Sequence, residues 1–300
     1  PLCASPAPSV WTGTPGGSPG SLPAARVVAF ASIPARWEHC TLRRPGLREM
    51  WNLPAEDRFY RHLMGGPDLT WFVVGDGESD LWVAVDTRSW RPELRGLAAE
   101  VLHRTRRALT RYLVRHPQFG VSHVPVEVQT AAPPLVREMA AAARIAGVGP
   151  MAAVAGAIAE EVGKALLPHV QELLVENGGD VILWGSCPRR VAILAGVSPL
   201  SLRVGLLVTP QNGLTAVCTS AGRWGHSYSQ GRADAAVAVA SSGAIADAVA
   251  TQLGNMIRDG RDLETAVRAT SQRPGIIGLV AIRDDRLAAW GKLRLIRIGE

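Results

Sequence analysis

Asp247 and Thr251 stand four residues apart in the stretch ADAVATQLGN at 246–255. On a helix they share one face on adjacent turns. A carboxylate and a hydroxyl so placed are hard oxygen donors suited to Mg²⁺, which completes its shell with water and ligand phosphates. The plainer alternative is a polar helix end with Asp247 as a cap. A second segment, ENGGD at 176–180, supplies Asn177, Gly178, Gly179 and Asp180. Paired glycines accept positive φ and let the backbone approach a ligand, with N–H groups free for an anion. The same Asn-Gly pair is also a strong signal for a tight hairpin turn. A third segment, TSAGRWGHSYSQGRADA at 219–235, places Thr219, Ser220, His226, Ser227 and Ser229 in a glycine-containing stretch. Small hydroxyls and amides there can cradle phosphate, and His226 can move a proton. A surface loop is the bland reading of that stretch. No nucleophile elbow or triad order accompanies these residues, and no His/Cys cluster points to zinc or iron.

The elements that would hold these residues are readable from periodicity. Residues 70–75 and 80–86 are β-rich runs joined by DGES, which predicts a hairpin. From Pro92 to about Arg115, apolar residues recur at three and four, from Leu94 through Val101, Leu102 and Leu109 to Leu113. The opposite face carries Arg104, Arg106, Arg107, Arg111 and Arg115, a solvated face or a basic patch. Helices are expected over 134–146 and 150–167, the second rich in Ala and Gly and able to approach another element closely. Short strands follow at 173–176, 181–184, 191–195, 203–208, 214–219 and 235–240, separated by Gly, Pro, Asn or Ser. Helices near 243–256 and 263–270 and two or three closing strands complete the chain. Helices grouped in one half, then mostly adjacent strands, predict an α+β fold rather than regular βαβ winding.

The composition of the 300-residue chain, 47% apolar and 19% charged, permits a substantial core and excludes global disorder. Its longest uncharged apolar stretch, residues 145–159, is 15 residues long and glycine-broken. A membrane span needs about 20, so no membrane partner is expected. The net charge of +6 rests on 30 arginines and two lysines, and half of it falls in the first 50 residues. The remainder is an ordinary surface, so no nucleic-acid partner is expected. Residues 1–24 hold six Pro, four Gly and four Ser and no charge. They read as disordered, and residues 1–49 as a disordered or non-native extension before a single domain at 50–300. Cys187 and Cys218 read as small core residues, with a bridge between them left open. A reducing, cytoplasmic setting is the simpler expectation.

In this order the three polar segments resemble the ApbE superfamily, whose characterised members are FAD:protein FMN transferases. The matching residues are Gly178, Gly179 and Asp180; Thr219 and Ser220; His226; and Asp247, Ala248 and Thr251. The stretches VGPMAAVAGAIAEEVG, VENGGD, GHSYSQGRADA, ADAVATQLGN, RFYR at 58–61 and ESDLWV at 78–83 look like a shorter, uncharacterised branch. The resemblance implies an ApbE-like α+β fold, a mostly antiparallel sheet packed with helices. It implies a metal pair at Asp247 and Thr251 and a cofactor site at Asn177, Gly178, Gly179, Asp180, Thr219, Ser220 and Ser227, with His226 catalytic. Mg²⁺ and FAD are the implied cofactors, and flavin transfer the implied activity. The transferases usually carry AKG where this chain has Val154, Ala155 and Gly156, so the lysine is missing. That departure raises the alternative of a non-catalytic, cofactor-binding accessory protein in redox or sulfur metabolism. The sequence leaves homo-oligomers open.

Overall fold

The structure is a computed structural model that describes residues 59–210, 213–222 and 231–298, with the backbone of two short strands at 9–11 and 26–30. Nine strands form one antiparallel sheet. From one edge it runs through two hairpins and a return: β3 (Leu69–Asp76) with β4 (Ser79–Asp86), β5 (Leu173–Asn177) with β6 (Asp180–Trp184), and then β9 (Thr215–Ser220). β10 (Ala235–Ala240), β11 (Ile276–Arg283) and β12 (Arg286–Gly291) extend it, and β1 (Ser9–Trp11) pairs at the far edge. A second sheet of four holds β2 (Arg26–Phe30), β7 (Arg189–Leu194), β8 (Val204–Val208) and β13 (Leu295–Arg297). In it β2 runs parallel to β7. The strands β1 and β2 are the parts of residues 1–49 that the structure describes.

Six helices complete the described chain: α1 (Glu93–Arg115), α2 (Pro117–Val121), α3 (Pro134–Ala146), α4 (Val154–Leu166), α5 (Gly243–Asn255) and α6 (Leu263–Thr270). The fold is α+β with a large antiparallel sheet, as the pattern of helices and strands predicts. The expected single helix over 150–167 divides, however: Pro150–Ala153 is a 3-10 turn, and the α-helix begins at Val154. Pro150 fixes the first turn, and Ala153 offers no side-chain cap, so the regular helix starts after it.

The large sheet is covered on both faces. Ala216 and Cys218 of β9 and Ala236, Ala238 and Ala240 of β10 face the helices; Val217, Val237 and Val239 face the small sheet. Because both sets are buried, these strands read as unbroken apolar runs instead of an alternation. Alanines on the helix side let α5 lie close above β9 and β10. The same economy governs the contact between α4 and α5. A Cβ built on Gly156 would stand 2.3 Å from the Gly243 carbonyl oxygen, and one on Gly243 would stand 2.4 Å from that of Gly156. No real Cβ tolerates such distances from backbone.

The two helices also cap each other. α4 has no side-chain cap from Ala153, and Asp247 of α5 accepts the Gly156 N–H at 3.0 Å. In return Glu160 of α4 accepts the Gly243 N–H at 2.6 Å and the hydroxyl of Ser242, the N-cap of α5, at 3.1 Å. Each carboxylate meets unpaired amides at the positive end of a helix dipole. Glu160 is further paired with Lys164 at 2.9 Å. We expect Gly156→Ala to lower the unfolding free energy by about 1–3 kcal/mol through overpacking. Gly96→Ala, on an exposed turn of α1 with nothing within 4 Å of the new Cβ, should raise it by about 0.5–1 kcal/mol. Urea unfolding of the two variants checks both signs.

Candidate functional site

At one end of the large sheet the β5–β6 turn meets the first turn of α4 and the side of α5. Gly178 and Gly179 form a two-residue hairpin loop, with φ of +64° and +106° and Asn177 paired to Asp180. Positive φ at both positions suits a type I′ hairpin turn, which explains the glycines locally. The turn then delivers Asp180 into a cleft of about 900 Å³. Gly178, Asp180, Thr219, Ser220, Asp247 and Thr251 all line it. Six of the ten site residues singled out in the sequence therefore line one cleft. Gly179 and Asn177 are turned to internal work: the Gly179 N–H donates to Glu176 Oε1 at 3.0 Å, and the Asn177 side-chain N–H to the Ala155 carbonyl at 3.0 Å. The expectation that the Gly179 amide is free for an anion is corrected by that bond to Glu176. His226 and Ser227, with Ser229, lie outside the described residues.

The chemical centre of the cleft is a pair of carboxyl groups. Asp180, 4% exposed, and Asp247 are hydrogen-bonded to each other. Burial raises the Asp180 pKa well above the usual aspartate range, and the charge of Asp247 adds to that rise. Burial also raises Asp247, to about 7, against the lowering effect of the Gly156 amide, its bond to Asp180 and the Ala155 amide. Both shifts run toward the protonated carboxyl, the larger rise being at Asp180. Two carboxylates this close cannot both ionise without a cation. Thr219 N–H donates to Asp180 Oδ1 at 3.2 Å, which orients the group from β9.

Two buried hydroxyls follow on β9, Ser220 on the helix face with Asp180 and Thr219 on the opposite face with Val217 and Val237. The hydroxyls of Thr219 and Ser220 are buried and have no hydrogen-bond partner among the described residues. Buried hydroxyls normally find partners, and orphans at a cleft call for an explanation. On the helix face with Ser220, Cys218 is fully buried, its thiol 3.6 Å from the Gly243 carbonyl oxygen. Burial first, then the neighbouring Asp180 and Asp247, push its pKa well above that of an ordinary thiol. Cys218 is the core residue its surroundings predict. Cys187 corrects the other half of that reading: it is exposed, and both cysteines are free.

Sequence reasoning missed one whole wall. The segment from Gly120 to Val124, at and after α2, lines the cleft opposite the helix ends, with His123 between exposed Val121 and Val124. Its five-residue helix is too short for a periodic signal. Gln252 and Asn255 extend the polar lining along α5, one and four positions beyond Thr251. Glu160 was also missed, although it falls within the quoted AIAEEVG stretch; no local spacing reveals that it caps a distant helix. Nor does Asp247 cap its own helix, as the plain alternative supposes, because Ser242 does that and Asp247 caps α4.

The fold places this cleft among proteins already known. The ApbE protein of Thermotoga maritima superposes over 74% of this chain and 97% of its own, at 13% identity and a TM-score of 0.50. The flavin transferase ApbE from Vibrio cholerae aligns over 77% and 97%, at 14% identity and a TM-score of 0.47. The first likeness defines an ApbE-type α+β fold. The sequence model of the family described as AbpE bacteria matches residues 61–274, and the chain belongs to that family. A UPF0280 protein of Methanocella arvoryzae is 40% identical over 195 residues, 65% of this chain and 79% of the relative. One from Methanocaldococcus jannaschii is 37% identical over 222 residues, 72% and 88% of the two chains.

The carboxyl pair carries a pH signature. Between about pH 4, where an unfolded aspartate ionises, and pH 7, near the folded Asp247 value, the folded chain holds protons that the unfolded chain has released. Its stability contribution therefore falls as pH rises through that window. We expect Asp247→Asn, which can still accept the Gly156 N–H, to lose this component. Melting temperatures at pH 5 and 7.5 in a chelator, compared between the two proteins, check it; parallel profiles would refute the pairing.

Proposed function

We propose that the cleft binds a flavin nucleotide such as FAD, or a similar phosphate ligand, together with Mg²⁺. The observation that carries this reading is the meeting, in one cleft, of a buried carboxyl pair and the buried, partnerless hydroxyl of Ser220. The donor set fits a hard divalent ion: Asp247 and Thr251 would hold it, with Asp180 beside them. Among the described residues no group of three or more His, Cys, Asp and Glu side chains is assembled for a metal. Water and ligand phosphates would fill the remaining positions, in the manner typical of Mg²⁺. Bound there, the ion supplies neutralisation and polarisation of a pyrophosphate. Ser220 would donate its hydroxyl to a phosphate oxygen, Thr219 would serve the site through its backbone N–H to Asp180, and Asp180 would give up its proton.

The remaining lining suits the rest of such a ligand. Val121, Val124, Val148, Met151 and Met256 also line the cleft and make part of its surface apolar. A ring system against that apolar surface and phosphates at the acid pair would fill the volume, an arrangement common in cofactor sites. In the catalytic form of the reading, the chain transfers FMN from FAD to a hydroxyl acceptor and releases AMP, with His226 moving a proton. The non-catalytic form is favoured by Ala155, which lines the cleft where the transferases usually carry lysine. FAD turnover to FMN and AMP separates the two forms. Cytoplasmic location and independence from nucleic acid are kept as parts of the proposal. Among the described residues no single helix is long and apolar enough to cross a membrane.

The expected result with the full chain is saturable FAD binding that needs Mg²⁺ and, separately, Mn²⁺ binding seen by electron paramagnetic resonance. Asp247→Ala should weaken both by about a hundredfold or more and Thr251→Val by about tenfold, as loss of a charged and of a neutral ligand predicts. FAD binding that is unchanged in a chelator, or intact in Asp247→Ala, would refute the metal–phosphate site.

A further inference from the structure

Three sequence stretches that lie apart in the chain meet behind the β5–β6 turn, on the sheet face away from the helices. Glu176 points there, on the same side as Leu174, and is 0% exposed. Its Oε1 accepts the Tyr60 hydroxyl at 2.7 Å and the Gly179 N–H at 3.0 Å. Its Oε2 accepts Arg61 Nε at 2.8 Å, and the guanidinium lies 2.7 Å away through Nη2. Arg61 continues to β4, reaching Asp80 Oδ2 at 3.1 Å and the Asp80 carbonyl at 2.7 Å. The Gly178–Gly179 turn, β4 and the 3-10 strap Phe59–Leu63 are thereby tied to one buried carboxylate.

A two-glycine hairpin forms without such help. Burying a charge is costly unless it is fully paired, so a charged network behind this turn is more than the turn itself requires. What the network adds is a fixed position for Asp180, the next residue after the gripped Gly179. We propose that Glu176, supported by Tyr60 and Arg61, is a positioning residue for the cleft: it holds the turn from behind and sets where Asp180 meets Asp247. Its purpose rests on the metal–phosphate reading, but its geometry does not.

β5 contains its own control. At the other end of the same strand Glu172, also buried, accepts the Ser186 and Cys187 amides at 2.8 and 3.1 Å and pairs with the buried Arg189 at 3.1 Å. It is the same kind of device, and it does not line the cleft of Asp180 and Asp247.

The Thr219 amide reports on Asp180 directly, since it donates to that carboxyl. In the full chain, Glu176→Leu removes the acceptor for Gly179. Exchange of the Gly179 and Thr219 amides, followed by NMR, should then accelerate by about tenfold, with a similar loss of Mn²⁺ affinity, as expected for losing a hydrogen bond to a charged group. Glu176→Gln restores an acceptor and should recover part of both. Tyr60→Phe should give a smaller change of the same kind. Glu172→Leu should lower the melting temperature yet leave Thr219 exchange and Mn²⁺ affinity at wild-type values. A folded Glu176→Leu protein with wild-type Thr219 exchange would overturn the proposal, as would identical changes in Glu172→Leu. If Glu176→Leu does not fold, the Gln and Tyr60→Phe variants decide by the same readout. Failure of the wild type to bind Mn²⁺ would remove the metal reading, while Thr219 exchange would still decide the positioning.

Discussion

The contact on which the cleft depends is the close passage of α4 over α5, where two glycines bring backbone against backbone. Such proximity leaves helix amides with no room for water, so the cost of unpaired N–H groups must be met by protein oxygens. Asp247 and Glu160 do this reciprocally, each from the partner helix. The exchange makes the two helices one unit. It also gives Asp247 two duties, since the carboxylate that faces the cleft is the one that terminates α4. Asp247 is therefore a packing requirement as well as a cleft residue.

The sheet supplies the other side. β5 and β6 are buried on both faces, so a polar residue among them is held either by a paired network, as Glu176 is, or at a strand end beside the cleft. Asp180 occupies that position, and the Thr219 amide of the adjacent strand meets it. The acid pair thus joins sheet to helices at the end of the sheet where the cleft lies. Burial there, more than any single charge, drives both acids toward the protonated form.

Much of this was legible beforehand, for identifiable reasons. α1, α3 and α6 show strong apolar faces, and α6 falls at the predicted 263–270. Gly-Gly and Asp-Gly punctuate hairpins whose local twist demands them. The i, i+4 spacing of Asp247 and Thr251 gave their shared face. Other features depend on partners distant in sequence. Strands of the second sheet carry the same short apolar runs as those of the first, so periodicity cannot assign β7 and β8 to a separate layer. Glu176 looked like part of a turn motif because its partners, Tyr60 and Arg61, lie more than a hundred residues earlier. The wall from Gly120 to Val124 left no periodic trace.

Cys218 sits within this assembly with a consequence for the surroundings in which the cleft can operate. Oxidants and alkylating agents attack thiolates, not thiols. A sulfur held in the protonated form first by burial and then by two neighbouring acids, beneath α5, offers them neither charge nor access. The acid pair is thereby insulated from changes in redox potential, although a cysteine lies beside it.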